Sequence, residues 1–409
     1  MTDAGGPAER LHEAEKLDEA EKLYEAVLAE LPTAIALRHA VHSDPRLSGV
    51  EEDTRDLLLA ALDAGPAEPV ADTGALVRIG ARGGPCVAVR TELDALPLVE
   101  STGVAWASTG PAMHACGHDV HMAGLVAFVR AARAVGVEVP VLAVLQPREE
   151  VARSGAIDLV ASGALHRHDV RAVIGAHVQP RVPAGVIAVT PGATNAAADQ
   201  FEVVVTGRGG HGGYPQTTAD PVLALAGVII ALQQVVSRRV DPVDGAVCTV
   251  GTVHAGSAFN VIPDTARAGG SLRCMDDHEQ ERLRGVVRSI AEHTAAAHGC
   301  SARVDFSPAD PVLRNDPALA TATATRLRQL GIAVDPTFRS FGADDFAHYC
   351  KVFPSVMTFV GTGTGAPPGS AIGSEHVPGL HHPRFVPPDD TVGEVAMAFL
   401  AGYLATVVG

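Results

Sequence analysis

The segment His114-Ala115-Cys116-Gly117-His118-Asp119 places a thiol between two imidazoles and ends in a carboxylate. Thiolate and imidazole groups bind borderline divalent metal ions, and a nearby carboxylate can orient a metal-binding histidine from behind. Cys116 and His118 are separated only by a glycine, which favours a compact loop. The segment therefore predicts a metal-binding loop with a supporting acceptor at Asp119.

Two further groups of metal-binding side chains each follow an apolar run. Gln146-Pro147-Arg148-Glu149-Glu150 follows the run 141–145, and His177 follows the run 172–176. We expect both runs to be buried strands, and active-site crevices of α/β proteins open at the carboxyl ends of strands. Paired glutamates can divide the work of hydrolysis, one binding the metal while the other moves a proton from water to a leaving amine.

The set of candidate ligands indicates which metal and which chemistry to expect. Thiolate, imidazole and carboxylate together favour Zn, Mn, Co or Ni over Mg or Ca. A competing role for Cys116 is that of a nucleophile paired with His118 or His114, although a Cys-His hydrolase needs neither the glutamate pair nor the distant histidines. A non-catalytic protein that binds a small ligand is the alternative from another class. The candidates are Cys116, His118, Glu149, Glu150, His177 and either His381 or His382.

Composition restricts the class of protein. A chain of 409 residues is too long for one ordinary core, and its net charge of −16 argues against nucleic acid as a partner. No apolar run approaches the ~20 residues that span a bilayer, and the charged N-terminus lacks a signal-peptide core, so we expect no membrane partner. The 6 cysteines are scattered, which indicates reduced thiols and a cytoplasmic location.

The order of the predicted elements divides the chain. Strands and helices alternate up to about residue 193, which predicts an α/β domain with a mostly parallel central sheet. Strands 200–206, 246–253, 265–274 and 302–307 combine with two long helices and predict a small α+β domain inserted into the first. We therefore expect an N-terminal helical extension over 1–35, a catalytic domain over 36–193 and 309–409, and an inserted domain over 194–308.

Two segments allow more than one interpretation. Residues 8–31 predict a helix whose segment 13–17 recurs at 19–23; a solvated extension is the favoured interpretation, and a helix that binds a partner is the alternative. Residues 207–212 match the glycine pattern of dinucleotide-binding loops, but no helix follows directly and no acidic residue closes a second strand. His211 in this loop fits better as an exposed, mobile histidine that reaches a ligand.

Taken together, these motifs resemble the metal-dependent amidohydrolases that include hippurate hydrolases, auxin-conjugate hydrolases and N-acyl-amino-acid deacylases, within the aminoacylase and carboxypeptidase metallopeptidases. The resemblance runs from about Leu37 to the C-terminus and rests on the order of many separate motifs. These are 114–119, 146–150, 177–180, 207–215, 260–264, 342–346 and 380–383.

The resemblance implies a role for each matching residue. It implies a metallopeptidase-like catalytic domain, an inserted lid or dimerisation domain and a homodimer that hydrolyses a small N-acyl amide. Glu149 would be the general base, and His211 would polarise the scissile carbonyl, commonly in the partner subunit's site. Asn260 and Arg273 would contact a substrate carboxylate or carbonyl. The implied ligands of one or two metal ions, with Zn or Mn expected first, are Cys116, His118, Glu150, His177 and His381.

Two positions depart from the family pattern. Glu92 stands where the family has an aspartate in Arg-Ala-Asp, which keeps the charge but lengthens its reach and leaves the number of metal ions open. Arg148 replaces a small residue before the glutamate pair, where it could lower the pKa of Glu149 or point to solvent. Every implied ligand is present, so the sequence predicts an active enzyme.

Overall fold

The computed structural model describes residues 7–307, 310–363 and 378–407. The chain divides into two compact units. The larger unit consists of Met1–Gly192, Arg314–Phe338 and His348–Gly409, and the smaller of Ala193–Leu313 and Arg339–Ala347. The smaller unit thus begins close to the predicted border at residue 194. It also includes 339–347, which the sequence placed in the catalytic domain.

The secondary structure follows the predicted alternation closely. The helices are α1 Pro7–Ser43, α2 Glu52–Leu62, α3 His118–Val135, α4 Gly155–Ala161, α5 Ala164–Arg167, α6 Pro221–Leu232, α7 Gln234–Arg239, α8 Asp277–Ala297, α9 Pro317–Gln329, α10 Ala347–Cys350 and α11 Thr391–Val407. The strands are β1 Ala67–Val70, β2 Gly74–Ile79, β3 Cys86–Glu92, β4 Val141–Gln146, β5 Val170–Pro183, β6 Val186–Ala188, β7 Gly192–Asn195, β8 Ala197–Thr206, β9 Gly210–His211, β10 Ala246–Ala255, β11 Val261–Ile262, β12 Thr265–Cys274, β13 Ser301–Phe306, β14 Leu313–Asn315, β15 Ala333–Asp335 and β16 Ser355–Gly363. No helix within the described ranges is long and apolar enough to cross a membrane.

The larger unit is built on an eight-stranded sheet in the order β1-β2-β4-β3-β5-β16-β6-β15. Its four central strands, β4, β3, β5 and β16, are parallel. Every residue of β3 and β4 is buried, as expected for parallel strands whose two faces are both covered. This confirms the predicted fold class, and it places the carboxyl ends of β3, β4 and β5 at one edge of the sheet.

Helix α1 is a continuous helix and part of the main core. Leu23 and Val27 are fully buried and belong to the same apolar cluster as residues of α3 and α11. The interpretation of this segment as a solvated extension is therefore wrong for these residues, because one face of the helix is apolar and packs against α3. The helix also continues without a break to Ser43, and it carries the buried Arg38 and His42.

The smaller unit is an α+β layer. Its sheet has the order β10-β12-β8-β13, and all of its pairs are antiparallel. Helices α6 and α8 pack on it through buried residues that include Leu225, Val228 and Leu283. Strand β10 lies at an edge of this sheet, and most of its residues from Thr249 onward are exposed.

Candidate metal centre

The ends of three parallel strands bring the predicted site residues together. Strand β3 ends at Glu92, and β4 ends at Gln146, just before the glutamate pair. Strand β5 differs from the prediction because it continues through His177 to Pro183. Its pairing with β3 stops at Gly175, whereas its pairing with β16 continues, so His177 lies just beyond the last residue that β3 covers.

The loop before α3 depends on a glycine. Gly117 has φ of +86°, in the left-handed region that favours glycine, and a Cβ atom here would lie 2.5 Å from Cγ2 of Val178. Gly117 is thus the only residue between Cys116 and the first residue of α3, His118. His114 is also buried in the loop, but neither of its ring nitrogens has a hydrogen-bond partner among the described residues, and burial lowers its pKa to about 3.

His118 is oriented by the residue at the end of the neighbouring loop. Its Nδ1 atom lies 2.8 Å from the carbonyl oxygen of Asp94, which can only accept, so the proton is on Nδ1. The Oδ2 atom of Asp94 in turn accepts from the backbone N–H of Glu150 at 2.9 Å and from Ser48 at 2.7 Å. Asp94 therefore holds two of the proposed ligands in place while leaving Nε2 of His118 available to a metal.

His177 is oriented in the same way. Its Nδ1 atom lies 2.7 Å from the carbonyl oxygen of Val178, so the proton is again on Nδ1. Its Nε2 atom lies 3.4 Å from Sγ of Cys116. When its ring is neutral, each histidine thus leaves Nε2 unprotonated, which is the form of imidazole that binds metal.

The two glutamates also lie close to these residues. Oε2 of Glu149 is 3.9 Å from Nε2 of His118, and Oε1 of Glu150 is 3.3 Å from Nε2 of His381. Whereas Nδ1 of His382 accepts from the backbone N–H of Arg384, His381 lies against Glu150 and belongs to a group of ligand atoms with Cys116. Its backbone N–H donates to the carbonyl of Ala115, and its φ of +63° is a conformation that non-glycine residues adopt rarely.

This donor set fits a metal ion. Ligand atoms bound at 2.0–2.3 Å in a tetrahedron lie about 3.3–3.8 Å from one another, close to the separations found here. Nε2 of His118 is buried and has no hydrogen-bond partner within the described residues, which a metal bond would supply. Within the larger unit, ligand atoms within 4.8 Å of one another form three sets among the described residues: Glu92, His118, His121 and His177; Cys116, Glu150 and His381; and His118, Glu149 and Glu150. The last two sets share Glu150.

The site has an excess of negative charge. Although burial favours the neutral ring, hydrogen bonding to Asp94 and the charges of Glu92 and Glu150 raise the pKa of His118 to about 10. Burial, together with Glu150 and Glu149, raises the pKa of Cys116 well above its ordinary value. A cysteine nucleophile needs a lowered pKa, so these surroundings argue against that role, whereas a divalent cation would stabilise the thiolate.

Three further buried residues, Glu92, Arg90 and His121, surround the proposed ligands, and of these the sequence pointed only to Glu92. Glu92 contacts Arg90 and lies 3.0 Å from Nδ1 of His121, whose Nε2 lies 2.9 Å from the backbone nitrogen of Val178. Burial opposes ionisation of Glu92, but Arg90 and His121 hold its pKa well below the usual range. His121 could have been identified from the sequence, because its i, i+3 spacing from His118 places both histidines on one helix face.

The side chain of Arg148 does not point to solvent, which was one of the two positions considered for it. Its guanidinium group donates to Asp158 at 2.8 Å and to the carbonyl of Ala71 at 3.3 Å. Its backbone N–H donates to the carboxylate of Glu51, a buried residue, at 2.9 Å. These bonds anchor the turn that carries Glu149 and Glu150.

The remaining predicted residues belong to the smaller unit. His211 is exposed and pairs with Val261 across the short β9–β11 ribbon. The backbone N–H of Gly213 donates to its Nδ1 at 2.9 Å, so a neutral ring carries its proton on Nε2 and can donate outward. Asn260 lies beside it, since its carbonyl accepts from Gly212 at 2.8 Å. Arg273 is near the other end of β12 and donates to the carbonyl of Phe341 at 2.6 Å.

Comparison with known proteins is consistent with this geometry. Residues 88–392 match the family described as Peptidase family M20/M25/M40. The N-acetylcysteine deacetylase of Bacillus subtilis (strain 168) is 33% identical over 91% of this chain and 94% of its own length. The IAA-amino acid hydrolase ILR1-like 2 of Arabidopsis thaliana is 35% identical over 80% of this chain and 76% of its own length. The YXEP protein of Bacillus subtilis, described as a dinuclear metal binding peptidase from the M20 family, superimposes with a TM-score of 0.78 at 29% identity over 93% of this chain and 98% of its own.

Proposed function

The chain belongs to peptidase family M20/M25/M40 and is a hydrolase of amide bonds, and we propose that it releases amino acids from small N-acyl amino acids, with Glu149 as the general base. The observation that carries this assignment is the convergence of imidazole Nε2 atoms, a thiol and two carboxylates at one sheet edge. Relatives named for deacetylation of N-acetylcysteine and for hydrolysis of IAA-amino acids support the substrate class.

The roles of the residues follow from their contacts. A bound divalent cation would polarise both the attacking water and the scissile carbonyl. Cys116, His118, Glu150, His177 and His381 would hold that cation. Oε2 of Glu149 lies 3.9 Å from Nε2 of His118, beside the proposed ligands, where its carboxylate can accept a proton from water and pass it to the departing amine. Asp94 keeps His118 and Glu150 in position during this transfer.

We assign the metal as Zn or Mn, with Co or Ni as further candidates, and one or two ions per subunit. The thiol of Cys116 favours Zn, because soft sulfur ligands select this ion over Mg or Ca. Glu150 is shared between two groups of ligand atoms, an arrangement that suits two neighbouring ions. The description of the YXEP protein as dinuclear points in the same direction.

We further propose a homodimer in which each site uses His211 from the partner subunit. Asn260 precedes β12, and Arg273 lies near the end of this strand. The strand from Thr265 to Arg273 alone spans about 26 Å, eight steps of ~3.3 Å. Two residues this far apart in one unit can serve the same small substrate only if they come from different subunits. The edge strand β10 offers unpaired backbone groups through which two copies can join.

A reducing compartment, the cytoplasm, suits this enzyme. The chain's six cysteines all lie within the described ranges and all are free thiols. Metal binding by Cys116 needs a reduced sulfur, so oxidation to a disulfide would remove a ligand.

The decisive experiment measures metal and activity on the same preparation. Metal-free protein should regain bound Zn or Mn and, with it, the release of free amino acid from a panel of N-acyl amino acids, including N-acetyl and indole-acetyl conjugates. Tight metal binding without turnover of any member of the panel would contradict the assignment as an enzyme of this class. It would favour the non-catalytic binding protein instead.

A further inference from the structure

A chain of buried polar side chains runs behind the proposed ligands, across the ends of β3 and β4. The hydroxyl of Tyr349 donates to Oε1 of Gln146 at 2.8 Å, and Nε of Arg90 donates to the same oxygen at 2.8 Å. Arg90 also donates to Oε1 of Glu92. All four side chains are at most 1% exposed. The ion pair between Arg90 and Glu92 contributes little to stability, because removing both charges from water costs free energy. A role in the site explains the presence of this pair better.

The chain continues from Glu92 through His121 to the peptide that follows His177. The backbone N–H of Val178 can only donate, so Nε2 of His121 must accept it at 2.9 Å. The proton of His121 is therefore on Nδ1, where it donates to Oε2 of Glu92 at 3.0 Å. The ligand atoms of Glu92 and His121 lie within 4.8 Å of those of His118 and His177. Both nitrogens of His121 and both oxygens of Glu92 are, however, engaged by other protein groups, so we assign neither residue as a metal ligand.

Val178 is the point at which this chain reaches the metal centre. Its N–H is held by His121, and its carbonyl oxygen accepts from Nδ1 of His177. The ring of His121 also packs against that of His177, with 4.6 Å between centroids. Glu92 therefore sets the position of His121, and His121 holds the backbone of Val178 through its N–H. The carbonyl group of the same residue then sets the direction in which Nε2 of His177 points.

We propose that Glu92 and His121 are positioning residues that hold His177 ready to bind the metal, and that the length of the side chain at position 92 is matched to this task. The inference rests on the proposed function, because it assumes that His177 is a ligand. Partners of ligating histidines commonly contribute about 10- to 100-fold to metal affinity.

Length and charge can be separated at position 92. Glu92→Asp keeps the charge but is about 1.5 Å shorter, which takes the carboxylate beyond hydrogen-bonding distance of His121. Glu92→Gln keeps the reach and one oxygen that can accept from His121, but it loses the charge. If Glu92 acts by positioning His121, Glu92→Asp should weaken metal binding more than Glu92→Gln does. If Glu92 acts only through its charge, Glu92→Gln should weaken it more.

The experiment measures metal affinity directly. Metal-free wild type and variants are titrated with Zn in competition with a chromophoric chelator, and the visible spectra of the Co-loaded proteins are recorded. Glu92→Asp and His121→Ala should weaken Zn binding roughly 10- to 100-fold and alter the Co spectrum, and Glu92→Gln should weaken it less than either. Equal affinities in all the variants, or a greater loss in Gln than in Asp, would overturn the inference.

A matched control separates positioning from a general loss of stability. Asp199 is a buried carboxylate that pairs with Arg284 in the smaller unit, so Asp199→Asn breaks a comparable buried ion pair. Asp199→Asn should leave the Zn affinity and the Co spectrum unchanged. A loss of Zn affinity in Asp199→Asn as large as that in Glu92→Asp would also count against the inference. Wild-type protein that binds no Zn at all would contradict the proposed function, whereas normal binding with unaffected Glu92 and His121 variants would contradict only this inference.

Discussion

The Nε2 atom of His177 lies 3.4 Å from Sγ of Cys116, although 61 residues separate them in the chain. The short distance arises because β5 carries His177 past the end of its pairing with β3, while Gly117 lets the loop of Cys116 approach Val178. The contact joins two proposed ligands that come from distant segments of the chain. It also gives a direct test of the metal assignment.

Replacement of Cys116 should reduce metal content and activity together. Cys116→Ala removes a sulfur ligand, so we expect substoichiometric Zn after dialysis and a loss of the sulfur-to-metal charge-transfer band of the Co-loaded protein. Elemental analysis and absorption spectra provide the measurement. Cys86→Ala is the control, since this buried thiol contacts the carbonyl of His168 and should leave both properties unchanged. A Cys116→Ala protein with full metal and activity would remove this residue from the ligand set.

The two glutamates should respond differently to the same change. Glu149→Gln keeps the shape but cannot accept a proton, so kcat should fall roughly 100- to 10,000-fold while the metal is retained. Glu150→Gln should instead lose metal, because its carboxylate lies against His381 and is shared by two ligand groups. Metal content and kcat are measured for both proteins. If the two variants exchanged these phenotypes, the assignment of base and ligand would have to be reversed.

Complementation tests the shared site. His211→Ala and Glu149→Gln proteins should each be inactive, and a mixture that has exchanged subunits should regain part of the activity, because one of its two composite sites is intact. Light scattering should show a dimer, and activity should fall on dilution below its dissociation constant. A monomer with full activity would exclude the shared site, although His211 could still act within its own chain.

Arg38 should contribute strongly to stability. Its guanidinium group is fully buried and donates to Asp119 at 2.9 Å, to Asp389 at 2.8 Å and to the carbonyl of Pro387 at 2.6 Å. Arg38→Ala removes the guanidinium charge beside the buried carboxylate of Asp119 and should lower the free energy of unfolding by about 3–5 kcal/mol, measured by urea denaturation. Arg46→Ala, which breaks exposed ion pairs with Asp44 and Asp53, should cost less than about 1 kcal/mol. Similar losses in the two variants would contradict this account.

Alkaline pH should destabilise the protein in part through Cys274. Burial raises the pKa of this thiol to about 11, whereas an unfolded thiol ionises near pH 8.5. The native state therefore retains its proton in the window between these values while the unfolded state releases it, so stability falls as pH rises from about 8.5 towards 11. Cys274→Ala should show a shallower decrease in the free energy of unfolding between pH 8 and 10. An unchanged slope would show that this thiol ionises freely in the folded protein.

The sequence by itself determined the ligand types, the buried central strands and the family. Cysteine, histidine and glutamate in short motifs after apolar runs were sufficient, because metal preference depends on side-chain chemistry and a buried parallel strand is apolar throughout. The same local patterns predicted strand 265–274 with the bounds that the structure has. They also indicated that the edge strand begins at Ala246.

Only the tertiary structure decided relationships between distant segments. The burial of Leu23, the selection of His381 over His382 and the connection from Glu92 through His121 to Val178 each depend on which elements become neighbours. A charged helix pattern is compatible with solvent or with a packed core, and two adjacent histidines have the same chemistry. The difference arises when the order of strands in the sheet and the course of the backbone bring one side chain, and not its neighbour, within bonding distance of its partner.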